Sequence, residues 1–420
     1  MLERFAAVRR EEREALAWAF LHFFAVLCAY YLIRPLRDEM GIRGGVGNLK
    51  WMYTGTFLAM LVAVPCWSAV VARLPRRSVV PIAYRFVALT LLAFFAAERL
   101  GAPVGATARI FFVWVSVLNL LVVSVLWSFH ADVFRAERAR RLYGLVAAGG
   151  SAGAIAGPWA ASALAGAVGP SGLLVVAAAA LEGAVLCVAR LSRWAERERA
   201  GSFGESPEEP VGGGVFEGFR LALRSPYLLG ISALLLFYSG TSTVAYQEQA
   251  RIVEASFADS AARTATFARI DLAVNVLAIA LQGLVAGPML ARLGAGATIA
   301  VLPVVTGAGF LALASRPGSL GTLVAFQVVR RGAQYGLERP ARETLFTTLG
   351  GGAKYKAKSF MDTVVFRGGD AASIWAYATT AALGVPGPVV WRVLAAACVA
   401  WVLLARGVAR RQGRTAETGR

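Results

Sequence analysis

The sequence predicts an all-α membrane protein with about twelve transmembrane helices in two sets of six. Three observations carry that expectation. Hydrophobic residues make up 57% of the 420 and charged residues only 16%, against roughly 25% charged in a soluble chain, and the mean hydropathy is +0.60. The apolar residues fall in long blocks separated by short charged turns, each block near the ~20 residues that cross a bilayer. One long polar interruption, 191–225, divides the blocks evenly.

Taken in order, the first span is 15–33. The N-terminus before it alternates Arg and Glu and offers no small-residue cleavage site, so no secretory leader is expected. A charged stretch, Arg34-Pro35-Leu36-Arg37-Asp38-Glu39, continues this span, and Pro35 fits a kink. The stretch reads in two ways. It is an exposed outer loop with snorkelling arginines, or it is a vestibule where Arg34, Arg37 and Lys50 receive a phosphorylated or carboxylated solute. Spans 51–72, 79–97 and 110–131 follow. The fifth span, 142–166, carries Gly149, Gly153 and Gly157 on one helical face, and small residues at that spacing let helix backbones approach closely. The same smooth face would also suit sliding. Span 172–190 completes a first bundle, 1–190.

The segment 191–225 starts with Arg193-Trp194-Ala195-Glu196-Arg197 and turns rich in Gly, Ser, Pro and Glu, the composition of a flexible linker. The second bundle, 226–420, holds spans 226–247, 267–291, 297–315, 319–338, 360–383 and 387–406 and a short basic tail. The last two spans meet through Gly384-Val385-Pro386-Gly387-Pro388, a tight turn. Equal halves on one linker are the arrangement of two parallel bundles with a substrate near the midplane.

Orientation follows from Lys and Arg in the loops. With the N-terminus inside, thirty of the 43 basic residues lie in inner segments and ten in outer ones; Arg85, Arg367 and Arg392 sit within spans. Both termini are therefore expected in the cytoplasm, in a bacterial inner membrane. The net charge of +18 is explained by this topology, and no nucleic-acid partner is needed. The four cysteines lie in spans and read as small apolar residues. The two histidines, His22 and His130, are far apart in sequence and make no zinc set. No hydrolase, metalloprotease or phosphate-loop motif occurs, so neither an enzyme nor a cofactor is expected. The expected partners are the lipid bilayer and a small-molecule substrate, with the chain a monomer.

Ionisable and polar residues inside spans are costly unless they face a cavity or a partner. Here they include Arg85, Glu182, Glu248, Arg269, Asp271, Asn275, Arg330, Arg331, Asp362, Arg367 and Asp370. Asp370 can stack under Asp362 or approach Arg367. As a set, these residues read as a polar transport path. Three of the four lysines cluster at Lys354, Lys356 and Lys358, just before the span that carries Asp362, Arg367 and Asp370. Apart from Lys50, every other basic residue of the chain is Arg, and Lys differs as a compact point charge.

At this point the residues resemble a family. Arg34-Pro35-Leu36-Arg37-Asp38, followed by a Gly-containing stretch and Leu49-Lys50, is similar to the start of the ATP/ADP translocases. Arg339-Pro340-Ala341-Arg342-Glu343, then Lys354 to Lys358, Asp362 and Arg367-Gly368-Gly369-Asp370, resembles their second-half signature. Arg138-Ala139-Arg140-Arg141-Leu142-Tyr143-Gly144 with the glycine helix resembles the first-half counterpart. The resemblance implies a major facilitator-like fold and nucleotide exchange by antiport. Lys50 and residues within Lys354–Lys358 would contact phosphates. One departure is plain: the family's span 7 is expected to hold a Glu beside a Trp-Lys pair, and here only Glu248 stands in Thr241–Gln249. On this reading Arg34, Arg37 and Lys50 meet the solute outside. Arg85, Glu248, Asp271, Asn275, Asp362, Arg367 and Asp370 line its path, and Lys354, Lys356 and Lys358 guard the inner mouth. The alternatives are a proton-coupled facilitator for another anionic solute, with Glu248, Asp271 or Asp362 as proton carrier, and a non-transporting scaffold or sensor.

Overall fold

A computed structural model describes residues 8, 12–73, 76–134, 136–200, 225–348, 357–358 and 360–418. Helix covers each expected span. The helices are α1 Arg13–Arg43, α2 Leu49–Arg73, α3 Arg76–Arg99, α4 Val104–Val133, α5 Ala136–Leu164, α6 Gly169–Ala200, α7 Pro226–Ser256, α8 Ser260–Leu281, α9 Gly287–Ser315, α10 Leu320–Ala333, the short α11 Arg339–Leu345, α12 Phe366–Ala382 and α13 Gly387–Thr418. Single π-helical turns interrupt them at Gln282–Ala286, Gln334–Glu338 and Met361–Val365. No strand occurs among the described residues. By length and composition alone, seven helical stretches qualify to cross a membrane, including Ser260–Ser315. That stretch holds two crossings, because Gly294 (φ 77°, ψ 174°) breaks it in a conformation that glycine adopts without a Cβ penalty.

The chain forms two compact units. One comprises Met1–Gly44, Val62–Glu208 and Phe257–Leu272, the other Gly45–Leu61, Glu209–Ser256 and Ala273–Arg420. Helices α2 and α8 are each divided between the two.

In the first unit α1 packs along α4, α5 and α6. A Cβ at Gly149 would stand 2.3 Å from the Phe20 carbonyl oxygen, at Gly153 2.3 Å from that of Phe24, and at Gly157 2.7 Å from that of Cys28. Both helices advance four residues per contact, so the glycine face is the close-approach surface its spacing predicts. The charged continuation of span 1 is no exposed loop: α1 runs through Pro35 to Arg43, with Asp38 and Glu39 buried. The reason is pairing. Arg263 of α8 donates from Nε and Nη2 to the two Glu39 carboxylate oxygens at 2.8 and 2.9 Å, and both partners lie in this unit. Replacing one partner strands the other's charge, at about 3–5 kcal/mol. Glu39→Ala is therefore expected to lower the thermal unfolding midpoint of the purified protein sharply, and Glu39→Gln less so.

Two further expectations change. Helix α6 runs to Ala200, so the first ten residues of the expected linker are helix. Leu191, Trp194 and Ala195 recur at helical spacing and are buried on this unit's core. The two histidines, distant in sequence, are stacked with ring centroids 5.0 Å apart, because α1 packs against α4. His22 Nε2 lies 3.1 Å from the Tyr84 hydroxyl, and His130 Nδ1 donates to the Leu126 carbonyl at 2.9 Å. Among the described residues no group of three or more His, Cys, Asp or Glu could hold a metal.

In the second unit α7 packs against α12 and α13, and α9 lies along α13. Its apolar core includes Leu234, Leu302 and Trp401. Gly332 and Gly336 of the α10 segment approach Leu277 and Ala278 of α8 closely enough that a Cβ would clash, which draws the polar face of α10 into the interior.

Candidate functional site

The interior of the second unit collects polar side chains from α7, α10, α12 and the first half of α2. At its centre is Arg330, only 3% exposed. Its Nη2 makes two long contacts, 3.3 Å to Gln327 Oε1 and 3.4 Å to Ser242 Oγ. Its Nε and Nη1 have no hydrogen-bond partner among the described residues, and no carboxylate pairs with it there. The guanidinium lies 5.9 Å above the Phe326 ring, with Tyr53, Tyr238, Tyr335 and Arg331 near enough to interact electrostatically. One turn on, Gln334 Oε1 is buried and unpartnered.

Helix geometry produces this stripe. Gln327, Arg330, Arg331 and Gln334 fall at steps of three and four, the spacing of one helical face. At Gln334 the helix widens into a π turn, a distortion that recurs at functional sites. A guanidinium keeps its charge in any protein environment and presents five donors. With most of them unengaged by protein groups in a buried position, the arrangement is chemically suited to an anion with additional hydrogen-bonding groups.

Several other charges of this unit are fastened to protein. Asp370 accepts from Ser239 Oγ at 2.7 Å, Thr243 Oγ1 at 3.1 Å and Arg367 Nη1 at 3.4 Å; of the two neighbours its helical spacing allowed, Asp362 and Arg367, it meets Arg367. Glu248 accepts from Arg251 Nε and Nη2 at 3.1 and 2.7 Å and from the Tyr377 hydroxyl. Lys358 donates to both Glu343 oxygens at 2.8 Å. The Lys50 ammonium sits 4.9 Å from the centroid of the Trp375 ring, whose indole N–H donates to Thr54 at 3.0 Å. Asn275 is buried and Asp362 is exposed. Lys354 and Lys356 lie outside the described residues.

In the first unit Arg34 lies 3.6 Å from Asp271. Arg37 stacks over Phe112 at 4.1 Å and donates to Ser116 at 2.9 Å. Arg85 pairs with Glu182 on an exposed face and is not brought together with these residues.

Known structures match this helical arrangement along nearly the whole chain. A nucleoside transporter, NupG, aligns with TM-score 0.66 and 13% identity, covering 95% of this chain and 99% of its own. A bacterial homologue of the iron transporter ferroportin aligns with TM-score 0.64 and 14% identity over 97% and 99%. A POT family peptide transporter aligns with TM-score 0.63 and 13% identity over 94% and 97%. The chain has the major facilitator fold. Its helices are arranged as in these transporters, and the expected fold class stands. At these identities the likeness is one of fold. No model of a known protein family matches the sequence, and no curated protein matches it either.

Within this major facilitator-like fold, Arg330 is a candidate site residue that the sequence placed only in the general set of ionisable residues within spans, with no role of its own. The signal was there: two adjacent arginines in an apolar span, flanked by Gln327 and Gln334 on the same face. What the sequence could not supply was the pairing, which leaves Arg330 without a carboxylate.

Proposed function

We propose that the chain is a secondary transporter that moves an anionic small solute by alternating access, and that Arg330 holds the solute's anionic end. The observation that carries this reading is the buried Arg330 guanidinium with two nitrogens unengaged. A charge stranded in a membrane protein interior is costly and marks substrate pathways; a bound anion supplies the missing partner. The surrounding tyrosines and Gln334 suit a solute with a ring and hydroxyl or amino groups. On this reading the solute is a nucleotide or nucleotide-like anion, exchanged as ATP for ADP in the manner the translocase resemblance implies. A nucleoside transporter among the structural neighbours supports a solute of this size.

The rocking elements are the two six-helix bundles read from the sequence, the first extended to Ala200 by its last helix and the second starting at Pro226, with both termini in the cytoplasm of a bacterial inner-membrane protein. Exchange needs no hydrolysis, because the counter-gradient supplies the work. The test is uptake of labelled ATP into proteoliposomes preloaded with ADP, repeated with a panel of phosphorylated and carboxylated metabolites. Counter-substrate-dependent uptake of one of them is expected. Failure of every anion to exchange, or to raise the unfolding midpoint by mass action, sinks the proposal. Uptake driven by a pH gradient without counter-substrate would replace exchange with proton coupling.

A further inference from the structure

We propose that the face formed by α3 and α6 binds a second copy of this chain, in a two-fold symmetric dimer. The face is apolar except for Arg85 and Glu182. Their side chains are 59% and 49% exposed and meet only through Nε and Oε2 at 3.5 Å. Among the described residues no other group bonds to either side chain, so both Nη groups and one carboxylate oxygen are left without protein partners. Phe86, Leu89 and Leu186 near the pair on α3 and α6 are exposed, and the pair lines a groove of about 350 Å³ together with Ala88, Ala178 and Ala179 and the larger Leu89, Leu92 and Val175.

Depth makes this arrangement unusual. Arg85 stands nine residues into α3 from Arg76, about 13 Å along the axis at the helical rise. Glu182 stands eight residues before Arg190, about 12 Å by the same rise. In a hydrocarbon core of about 30 Å, both lie near the middle. Lipid tails offer neither donors nor acceptors there, so a second polar surface would stabilise the unengaged groups.

The patch is complementary to itself. In an isologous contact each residue faces its counterpart's surroundings, so Arg85 of one copy meets Glu182 of the partner subunit, and the reverse. Two long, single-contact pairs become a closed set of four charges. Ala88, Ala178 and Ala179 in the groove's lining are small residues of the kind that membrane helix interfaces use. The inference departs from the monomer expected from the sequence, and it is independent of the solute and of Arg330.

The experiment counts subunits of the full chain in liposomes across a range of lipid-to-protein ratios, by stepwise photobleaching of a C-terminal fluorophore. Wild type is expected to dimerise. Arg85→Glu makes the face wholly acidic and Glu182→Arg makes it wholly basic, and each alone is expected to weaken association at least tenfold. Co-reconstituted in two colours, these two variants are expected to pair with each other. The double variant Arg85→Leu/Glu182→Leu, which removes both charges without a like-charge clash, is expected to fold and to remain monomeric. The proposal is overturned if wild type stays monomeric throughout. It is equally overturned if reversal leaves dimerisation unchanged, or if the mixed variants fail to pair while each melts cooperatively. A phospholipid held by wild-type monomers in native mass spectrometry, and lost in Arg85→Glu, would assign the face to lipid and overturn the second copy.

Discussion

Arg330→Gln is expected to weaken solute binding and transport severely while leaving the protein as stable as wild type, or more so. The two halves of this result follow from one geometry. Truncating one member of a buried, hydrogen-bonded charge pair costs about 2–5 kcal/mol or more, so binding should weaken by roughly thirty-fold to several thousand-fold, at a tenfold loss per 1.4 kcal/mol. Without solute, however, the guanidinium has only two long contacts, to Gln327 and Ser242. Removing a buried charge that lacks a partner relieves desolvation. A structural arginine would behave in the opposite way, and its loss would lower stability. Arg330→Lys keeps the charge but loses the flat fork, and the two are not interchangeable at such a site; partial recovery of binding is expected. Isothermal titration or a thermal-shift series with the exchanging anion reads the binding half, and denaturation of the ligand-free protein reads the stability half. Unfolding well below wild type, with binding retained, would return Arg330 to a packing role.

The same reasoning separates Arg330 from the lysines that stand out in the sequence. Lys358 and Glu343 form a half-exposed pair, of the kind worth about 0–1 kcal/mol. It belongs to the stretch that carries the sequence resemblance, and its energetic weight is small. Lys50 rests on Trp375 near Thr54, which holds it in place but leaves its ammonium free to meet an anion.

The fold was legible because the signals for it are local. Apolar length, the turn at Gly384–Pro388 and the glycine period of α5 each depend on residues adjacent along the chain. Features set by pairing across helices were not. The buried state of Glu39 depends on Arg263, 224 positions away, and nothing in the run Arg37-Asp38-Glu39 distinguishes a helix held by an ion pair from an exposed loop. The stacking of His22 on His130 depends on how α1 meets α4. Arg330 is the clearest instance: charge and span were readable, but burial without a carboxylate partner among the described residues is a property of everything around it. Arg85 shows the converse, since its span and charge matched those of a path residue, and only the packing of α3 against α6 turned it outward.

Gly153→Ala is the substitution expected to damage the fold most for its size. The added methyl carbon would stand 2.3 Å from the Phe24 carbonyl oxygen, against the roughly 3.3 Å at which even a favourable C–H···O contact settles. The obstacle is backbone, which cannot rotate away like a side chain, so α1 and α5 must separate by about an ångström. Because Gly149 and Gly157 make the same approach to Phe20 and Cys28, one added methyl loosens the whole seam. Overpacking of this kind costs about 1–3 kcal/mol and sometimes more. Gly144, on the same helix, is the control: nothing lies within 4 Å of its would-be Cβ, and Gly→Ala in a helix gains about 1 kcal/mol in propensity. Thermal unfolding in detergent should therefore place Gly153→Ala well below wild type and Gly144→Ala at or above it. Equal midpoints for the two variants would mean that the α1–α5 seam is not the tight contact described. A drop at Gly144 alone would mean that helix α5 is limited by something other than its approach to α1.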